Sequence, residues 1–355
     1  MLSGSDTPLQ SEIFRPLGAR TYEVEGGAIM VAWKAFPPLE TAASHECPPS
    51  HSALIYLPGW IFTERTTAIA PLCQAAADYA HEMTYAVDTR AAALIPHSLA
   101  CEAEAVRRWL RESGITTVTL IGDSQGGTQA IHLTGLLQES SPEIEVKALV
   151  LYNPVSLYDQ PIRTLLRNYV LEGHKLRRDV ACMANAKEVS SLLQHNLTEG
   201  ACVIVRELLR SHVHYPRRLL NEIKEMAQAN PHLTEIRVPV ILVQGASDLL
   251  SHPARIIPAQ AGGGETQPSS YLKDRHEREH FLQRHVFPQS PYVKMLVVEK
   301  MGYHALPSLR PKEVVHASLY LVKRWKRTQE QPAVQHPIVQ TRWLEKRVAR
   351  SFVPP

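Results

Sequence analysis

The sequence predicts an α/β fold in which a mostly parallel central sheet is flanked by helices. Six apolar, β-branched runs have the length of buried strands: 52–60, 84–87, 116–122, 146–152, 238–244 and 293–299. Segments with apolar residues at helical spacing separate several of these runs, for example 64–82 and 98–113. Runs that are apolar on both faces need cover on both faces, which helices around a parallel sheet provide. Residues 20–36 form two β-rich runs around Gly26 and Gly27, which predicts a hairpin.

The composition is that of a globular protein. The chain has 355 residues, of which 44% are hydrophobic and 21% are charged, with a formal net charge of +3. These values exclude collagen-like, disordered and disulfide-scaffold classes. A chain of this length buries about three quarters of its unfolded surface, which is enough for one large core or two modest ones.

The cysteines and the apolar segments indicate the cellular compartment of the protein. The five cysteines are widely spaced, contain no C-x-x-C pair and favour a reducing compartment over a disulfide framework or zinc ribbon. The first residues, MLSGSDTPLQSEIF, lack the basic and apolar regions of a signal peptide. No run reaches the roughly 18 apolar residues of a membrane span. We therefore expect a cytoplasmic, soluble protein.

The pattern divides the chain into a core and two additions. Residues 1–154 and 237–325 carry the strand and helix pattern, whereas 155–236 have helical stretches without a convincing strand. This predicts an all-helical insertion. Residues 326–355 form a basic C-terminal extension, in which apolar residues alternate with arginine and lysine. The extension could bind a membrane surface or an acidic partner, pack back on the core, or remain disordered.

One motif carries chemistry. Gly122, Asp123, Ser124, Gln125 and Gly126 fit G-x-S-x-G directly after an apolar strand and directly before a helix-compatible run. In that context the glycines relieve crowding around a tight turn that exposes the serine hydroxyl at a helix N-terminus. The alternative is a glycine-rich turn that holds a serine by chance.

With this motif the chain resembles the α/β-hydrolase family over about residues 20–325. The resemblance implies that an acid and then a histidine follow the serine, each on a loop after a later strand. Asp248 and His304 occupy those positions in that order. Asp159 is the substitute acid, since some members take the acid from the preceding strand. The helical insertion resembles the cap that roofs the active site in many members.

The resemblance also implies a role for each residue. His304 would take the proton of Ser124 and return it to the leaving group, while Asp248 would fix the imidazole tautomer. The backbone N–H groups of Gln125 and Trp60 would form the oxyanion hole. Many members have His-Gly where this chain has Pro-Gly-Trp, so Trp60 is assigned by position, and core packing is its alternative role.

The implied activity is that of a serine hydrolase that cleaves an ester, thioester or amide of a small-molecule acyl substrate through an acyl-enzyme. No cofactor is predicted. A serine at the nucleophile position disfavours the dehalogenase and epoxide-hydrolase chemistries of this family, which need a carboxylate there. Acyl transfer to an alcohol or amine on the same triad, and a non-catalytic receptor or scaffold, remain alternatives. The sequence leaves a homodimer open.

A competing motif begins at His276. Residues 276–280 read H-E-x-x-H, which on a helix can hold zinc with a glutamate as base. His285 falls one residue short of the third-ligand spacing of one large zinc-protease group. We therefore predict a charged surface helix here and no metal site. Phosphate-binding fingerprints are absent from the sequence, and nothing in it suggests nucleic-acid binding.

Overall fold

The computed structural model describes most of the chain between Gly18 and Glu330. The described residues are 18–25, 27–42, 51–59, 69–91, 98–181, 214–246, 248–250, 275–298 and 310–330, with His304, Pro307 and isolated positions between 187 and 209. Trp60, and the tail from 331 onward, lie outside the described residues.

The described residues form one eight-stranded sheet. Its strands are Gly18–Val24 (β1), Gly27–Phe36 (β2), Ser52–Leu57 (β3), Met83–Ala91 (β4), Thr117–Asp123 (β5), Glu145–Tyr152 (β6), Val240–Gly245 (β7) and Val293–Val298 (β8). Their order across the sheet is β1-β2-β4-β3-β5-β6-β7-β8. The pairs β1–β2 and β2–β4 are antiparallel and the others are parallel. The predicted hairpin and mostly parallel sheet are therefore confirmed.

Helices alternate with the strands after the hairpin. They are Leu39–Ala42 (α1), Ala70–Ala80 (α2), Leu99–Glu112 (α3), Gln125–Ser140 (α4), Ile162–Ala181 (α5), His214–Ala227 (α6), Arg275–Phe281 (α7) and Pro311–Glu330 (α8). The last helix continues to Glu330, beyond the core boundary predicted at 325. Within the described part of the chain, no helix combines the length and the apolar character that crossing a membrane requires.

The central strands are buried on both faces. In β6, Leu149 and Leu151 belong to the apolar cluster that includes α3 and α4. Val150 and Tyr152, which alternate with them along the strand, belong to the cluster that includes α2 and α8. Both faces therefore exclude water, which explains why these strands read as continuous apolar runs and not as alternating ones.

The connection from β6 to β7 contains α5 and α6. The isolated described positions between 187 and 209 are also helical, and a short 3₁₀ turn at Pro231–Glu235 precedes β7. Leu165 of α5 and Ile223 of α6 share a small apolar cluster with Leu250, which lies in the loop after β7. Helices α5 and α6 lie within the predicted helical insertion, and both pack beside that loop. Its division from the core as a separate domain stays a prediction.

A partly buried arginine joins the insertion to the core. Arg218 of α6 donates from Nη2 to Glu102 Oε1 of α3 at 2.9 Å and to the carbonyl of Thr89 in β4 at 3.2 Å. Its Nε donates to Glu222 Oε1 at 2.6 Å. The hydroxyl of Thr89 donates to the other oxygen of Glu102 at 2.6 Å. The side chains of Glu102 and Glu222 are only 3% and 5% exposed, so the guanidinium compensates two carboxylates that water barely reaches.

We expect Arg218→Met to lower the free energy of unfolding by about 3–5 kcal/mol, because Glu102 and Glu222 would stay buried after losing the charged hydrogen bonds of the guanidinium. Urea unfolding at neutral pH measures this. Arg111→Met is the control, since the ion pair of Arg111 with Glu143 is about half exposed and such pairs contribute about 1 kcal/mol or less. Equal losses in the two variants would contradict the buried network.

Candidate active site

Ser124 occupies a strained turn between β5 and α4. Its backbone has φ 53° and ψ −114°, a conformation that residues other than glycine rarely adopt. The Ser124 N–H donates to the carbonyl of Tyr152 at 2.9 Å, and the Gly127 N–H donates to the carbonyl of Ser124 at 3.0 Å. These bonds hold the serine at the carboxyl end of its strand, directly before the first residue of α4.

The glycines of the motif are required by close packing. A Cβ on Gly126 would lie 2.1 Å from the carbonyl oxygen of Leu57, at the end of β3. A Cβ on Gly122 would lie 2.5 Å from the carbonyl oxygen of Gly126. The start of α4 is therefore pressed against the ends of β3 and β5, which is the crowding that the sequence motif predicts.

The structure brings Ser124, His304 and Asp248 together in one chain of contacts. Ser124 Oγ lies 2.6 Å from His304 Nε2, and His304 Nδ1 lies 3.1 Å from Asp248 Oδ2. The other oxygen of Asp248 accepts a hydrogen bond from the Leu250 N–H at 2.8 Å. In the tautomer that donates from Nδ1 to Asp248, His304 Nε2 accepts the serine proton.

Burial and charge act in opposite directions on His304. Burial lowers the pKa of the imidazole, but the negative charges of Asp248, Glu172 and Asp123 outweigh it and raise the pKa to about 9. Burial also raises the pKa of Asp123 to about 7, although its Oδ2 accepts a 3.4 Å hydrogen bond from the hydroxyl of Tyr56. The surroundings of His304 therefore favour its protonated form, which is the form a general base adopts after taking a proton.

Part of the predicted oxyanion hole falls on described backbone beside Ser124. Gln125 is the first residue of α4, and the first N–H groups of a helix have no acceptor within it. Gly59, after β3, lies beside the serine, since a Cβ built on it would be 3.4 Å from Ser124 Cβ. Trp60, the predicted second donor, lies outside the described residues, so its role stays a prediction.

The sequence did not point to Asn153, which connects two strand ends with the histidine loop. Its Nδ2 donates to the carbonyl of His304 at 2.8 Å, and its Oδ1 accepts from the Gly245 N–H at 2.9 Å. Asn153 directly follows β6 and has φ 43°. A polar residue directly after a buried parallel strand is the signal that could have identified it.

The sequence also missed Glu172. This residue of α5 accepts hydrogen bonds from the backbone N–H of Leu249 at 2.7 Å and from the backbone N–H of His304. Burial and the charge of Asp248 raise the pKa of its carboxyl group. Nothing in the helical pattern of the insertion distinguishes it from the other charged residues there.

The other sequence candidates lie elsewhere. Asp159 is exposed, and its Oδ1 accepts a hydrogen bond from the Ala229 N–H at 2.9 Å, so the structure does not bring the substitute acid to the histidine. The H-E-x-x-H segment falls in α7, so its predicted helix is present. The side chains of His276 and Glu277 lie outside the described part.

One group of described residues has the composition of a metal site. Glu139, His232 and Glu235 each place a ligand atom within 4.8 Å of the others. His232 Nδ1 lies 2.7 Å from Glu235 Oε2, and all three residues are partly or fully exposed. This is the arrangement of an ordinary surface ion pair.

No family model matches the sequence, and no curated protein matches it. Several solved structures are similar to this chain in fold. A probable hydrolytic enzyme from Pseudomonas aeruginosa PAO1 is 17% identical with a TM-score of 0.56, over 86% of this chain and 93% of that one. An α/β hydrolase enzyme from a Medee basin deep-sea metagenome library is 11% identical with a TM-score of 0.55, over 86% and 97%. The enol-lactonase from Burkholderia xenovorans LB400 is 13% identical with a TM-score of 0.53, over 86% and 100%. At these identities the likeness is one of fold.

We expect Gly126→Ala to lower the free energy of unfolding by at least about 1–3 kcal/mol, because the new methyl group would overlap backbone atoms that cannot move aside. Gly173→Ala in α5 is the matched control, since nothing lies within 4 Å of a Cβ there. That change should raise stability by up to about 1 kcal/mol through helix propensity. Urea midpoints of the two variants test this, and an unchanged midpoint for Gly126→Ala would refute the close packing.

Proposed function

We propose that this chain, which has the α/β-hydrolase fold, is a serine hydrolase that cleaves an ester, thioester or amide bond. The observation that carries the proposal is the continuous contact from Ser124 Oγ through His304 to Asp248, with distances of 2.6 Å and 3.1 Å. A serine hydroxyl is a weak nucleophile by itself and needs a base within hydrogen-bond reach. The strained turn supports the same role, because strained backbone is concentrated at functional sites.

Acylation begins with attack of Ser124 Oγ on the carbonyl carbon. The serine proton passes to His304 Nε2, and Asp248 stabilises the imidazolium that results. The carbonyl oxygen becomes negatively charged and would accept hydrogen bonds from the N–H groups of Gln125 and Trp60, the two donors that the sequence predicts. The bond to the leaving group then breaks, His304 returns the proton to that group, and an acyl-serine ester remains.

Deacylation repeats these steps with water. His304 Nε2 takes a proton from the water as its oxygen attacks the acyl carbon. The bond to Ser124 Oγ breaks, and the imidazolium protonates the serine. The carboxylic acid leaves, and the enzyme returns to its starting form.

The insertion supports a small acyl substrate held under a helical cap. The ring of Tyr169 in α5 lies 6.2 Å from the ring of His304, centroid to centroid. Leu166 and Val170, one turn apart on the same helix, are 44% and 61% exposed. An aromatic ring beside the proposed base suits a substrate with an apolar acyl or alkyl part, and a helical roof would limit the entry of water.

We expect a fluorophosphonate probe to label Ser124, as identified by peptide mass spectrometry. Ser124→Ala should abolish the labelling, and His304→Ala should slow it by about 10³-fold or more, because the nucleophile and base act as a unit. Ser156→Ala is the matched control: Ser156 is also buried, with φ 61°, but its Oγ lies 2.8 Å from the hydroxyl of Thr128. The Ser156→Ala variant should take the label at Ser124 at the same rate as the wild type.

Hydrolysis of p-nitrophenyl esters of increasing chain length then measures the size of the acyl pocket. Labelling at another residue, or equal labelling rates in His304→Ala and the wild type, would sink the proposed triad.

We expect kcat/KM to rise with pH, with a midpoint between the ordinary histidine value of 6.5 and about 9. Below the pKa of His304 the imidazole is already protonated and cannot accept the serine proton, so activity is lost as the pH falls. A pH profile of ester hydrolysis measures the midpoint. A rising limb below pH 6.5 would contradict a base surrounded by carboxylates.

A further inference from the structure

Glu172 connects the insertion with both loops that carry the proposed acid and base. One carboxylate oxygen accepts from the N–H of Leu249, which follows Asp248, and the other accepts from the N–H of His304. The two loops come after different strands, β7 and β8. A single side chain from α5 therefore bridges two loops that are otherwise separate in the sequence.

The fold alone does not explain why a carboxylate is buried at this position. Glu172 is only 5% exposed and lies near the negative charge of Asp248, which disfavours a second ionised carboxylate beside it. The cation among its described electrostatic partners is the imidazolium of His304. Perturbed, buried carboxylates that share one histidine are typical of functional sites.

We propose that Glu172 is a positioning residue: it holds the loops of Asp248 and His304 in register and adds its negative charge to those of Asp248 and Asp123 beside the imidazole. This inference rests on the proposed serine hydrolase function. Two effects follow from one side chain. The hydrogen bonds fix where His304 lies relative to Ser124, and the charge stabilises the imidazolium that forms during attack.

Two substitutions separate the two effects. Glu172→Gln keeps the shape but removes the charge, so the pH midpoint for fluorophosphonate labelling of Ser124 should move down by about one unit. We expect its rate constant above the midpoint to fall by about 10-fold, because an amide NH₂ would face one of the two N–H donors. Glu172→Asp keeps the charge but shortens the reach, so the rate should fall while the midpoint stays.

Glu222→Gln is the matched control. Glu222 is also a buried carboxylate of the insertion, but it pairs with Arg218 in α6. This variant should be less stable to urea, with the labelling rate and the pH midpoint of the wild type. A merely structural role for Glu172 would give the same pattern in Glu172→Gln, and that result would overturn the proposal.

A measurement without turnover separates this inference from the proposed function. The pKa of His304 is read by NMR titration of ¹⁵N-labelled histidines in the Ser124→Ala background, with its signal assigned by its loss in His304→Ala. A lower pKa with Glu172→Gln supports the placement of the charge, and an unchanged pKa overturns it. If the wild type takes no label, the hydrolase proposal fails, and the titration alone decides what Glu172 does.

Discussion

The left-handed turn at Ser124 is the constraint on which the site depends. It forms at the carboxyl end of a buried parallel strand, and only glycine fits where α4 closes against β3 and β5. The carboxyl ends of parallel strands meet at one edge of the sheet. Residues that follow the next strands, Asn153, Asp248 and His304, therefore converge on the serine from separate parts of the chain.

The ionisable groups of the site lower the free energy of unfolding as the pH rises. His304 has a folded pKa raised above 6.5, so its contribution to stability is complete below pH 6.5 and is lost as the pH approaches 9. Asp123, with its pKa raised from 3.8 to about 7, weakens the fold progressively between those values. The form with a neutral imidazole, which can accept a proton, is therefore the less stable form of the site.

The sequence was sufficient for the sheet and for three of the residues that follow its strands. Buried strands read as apolar runs, and Ser124, Asp248 and His304 each come shortly after such a run, so chain order and strand ends located them. Glu172 could not be found in this way. It reaches the site from the side, on a helix of the insertion, and helical periodicity does not specify which loop a charged side chain meets. Its partners are backbone N–H groups, which leave no trace in the sequence.

Each of the two insertion helices contacts the core through one ionisable side chain. Glu172 of α5 accepts from backbone N–H groups of the loops that carry Asp248 and His304, and Arg218 of α6 lies between Glu102 and Glu222. Breaking such a contact removes hydrogen bonds from a buried ionisable group, which costs several kcal/mol unless water replaces them. Displacement of α5 would also remove a negative charge from beside His304. The position of this helix and the basicity of His304 are therefore coupled through one carboxylate.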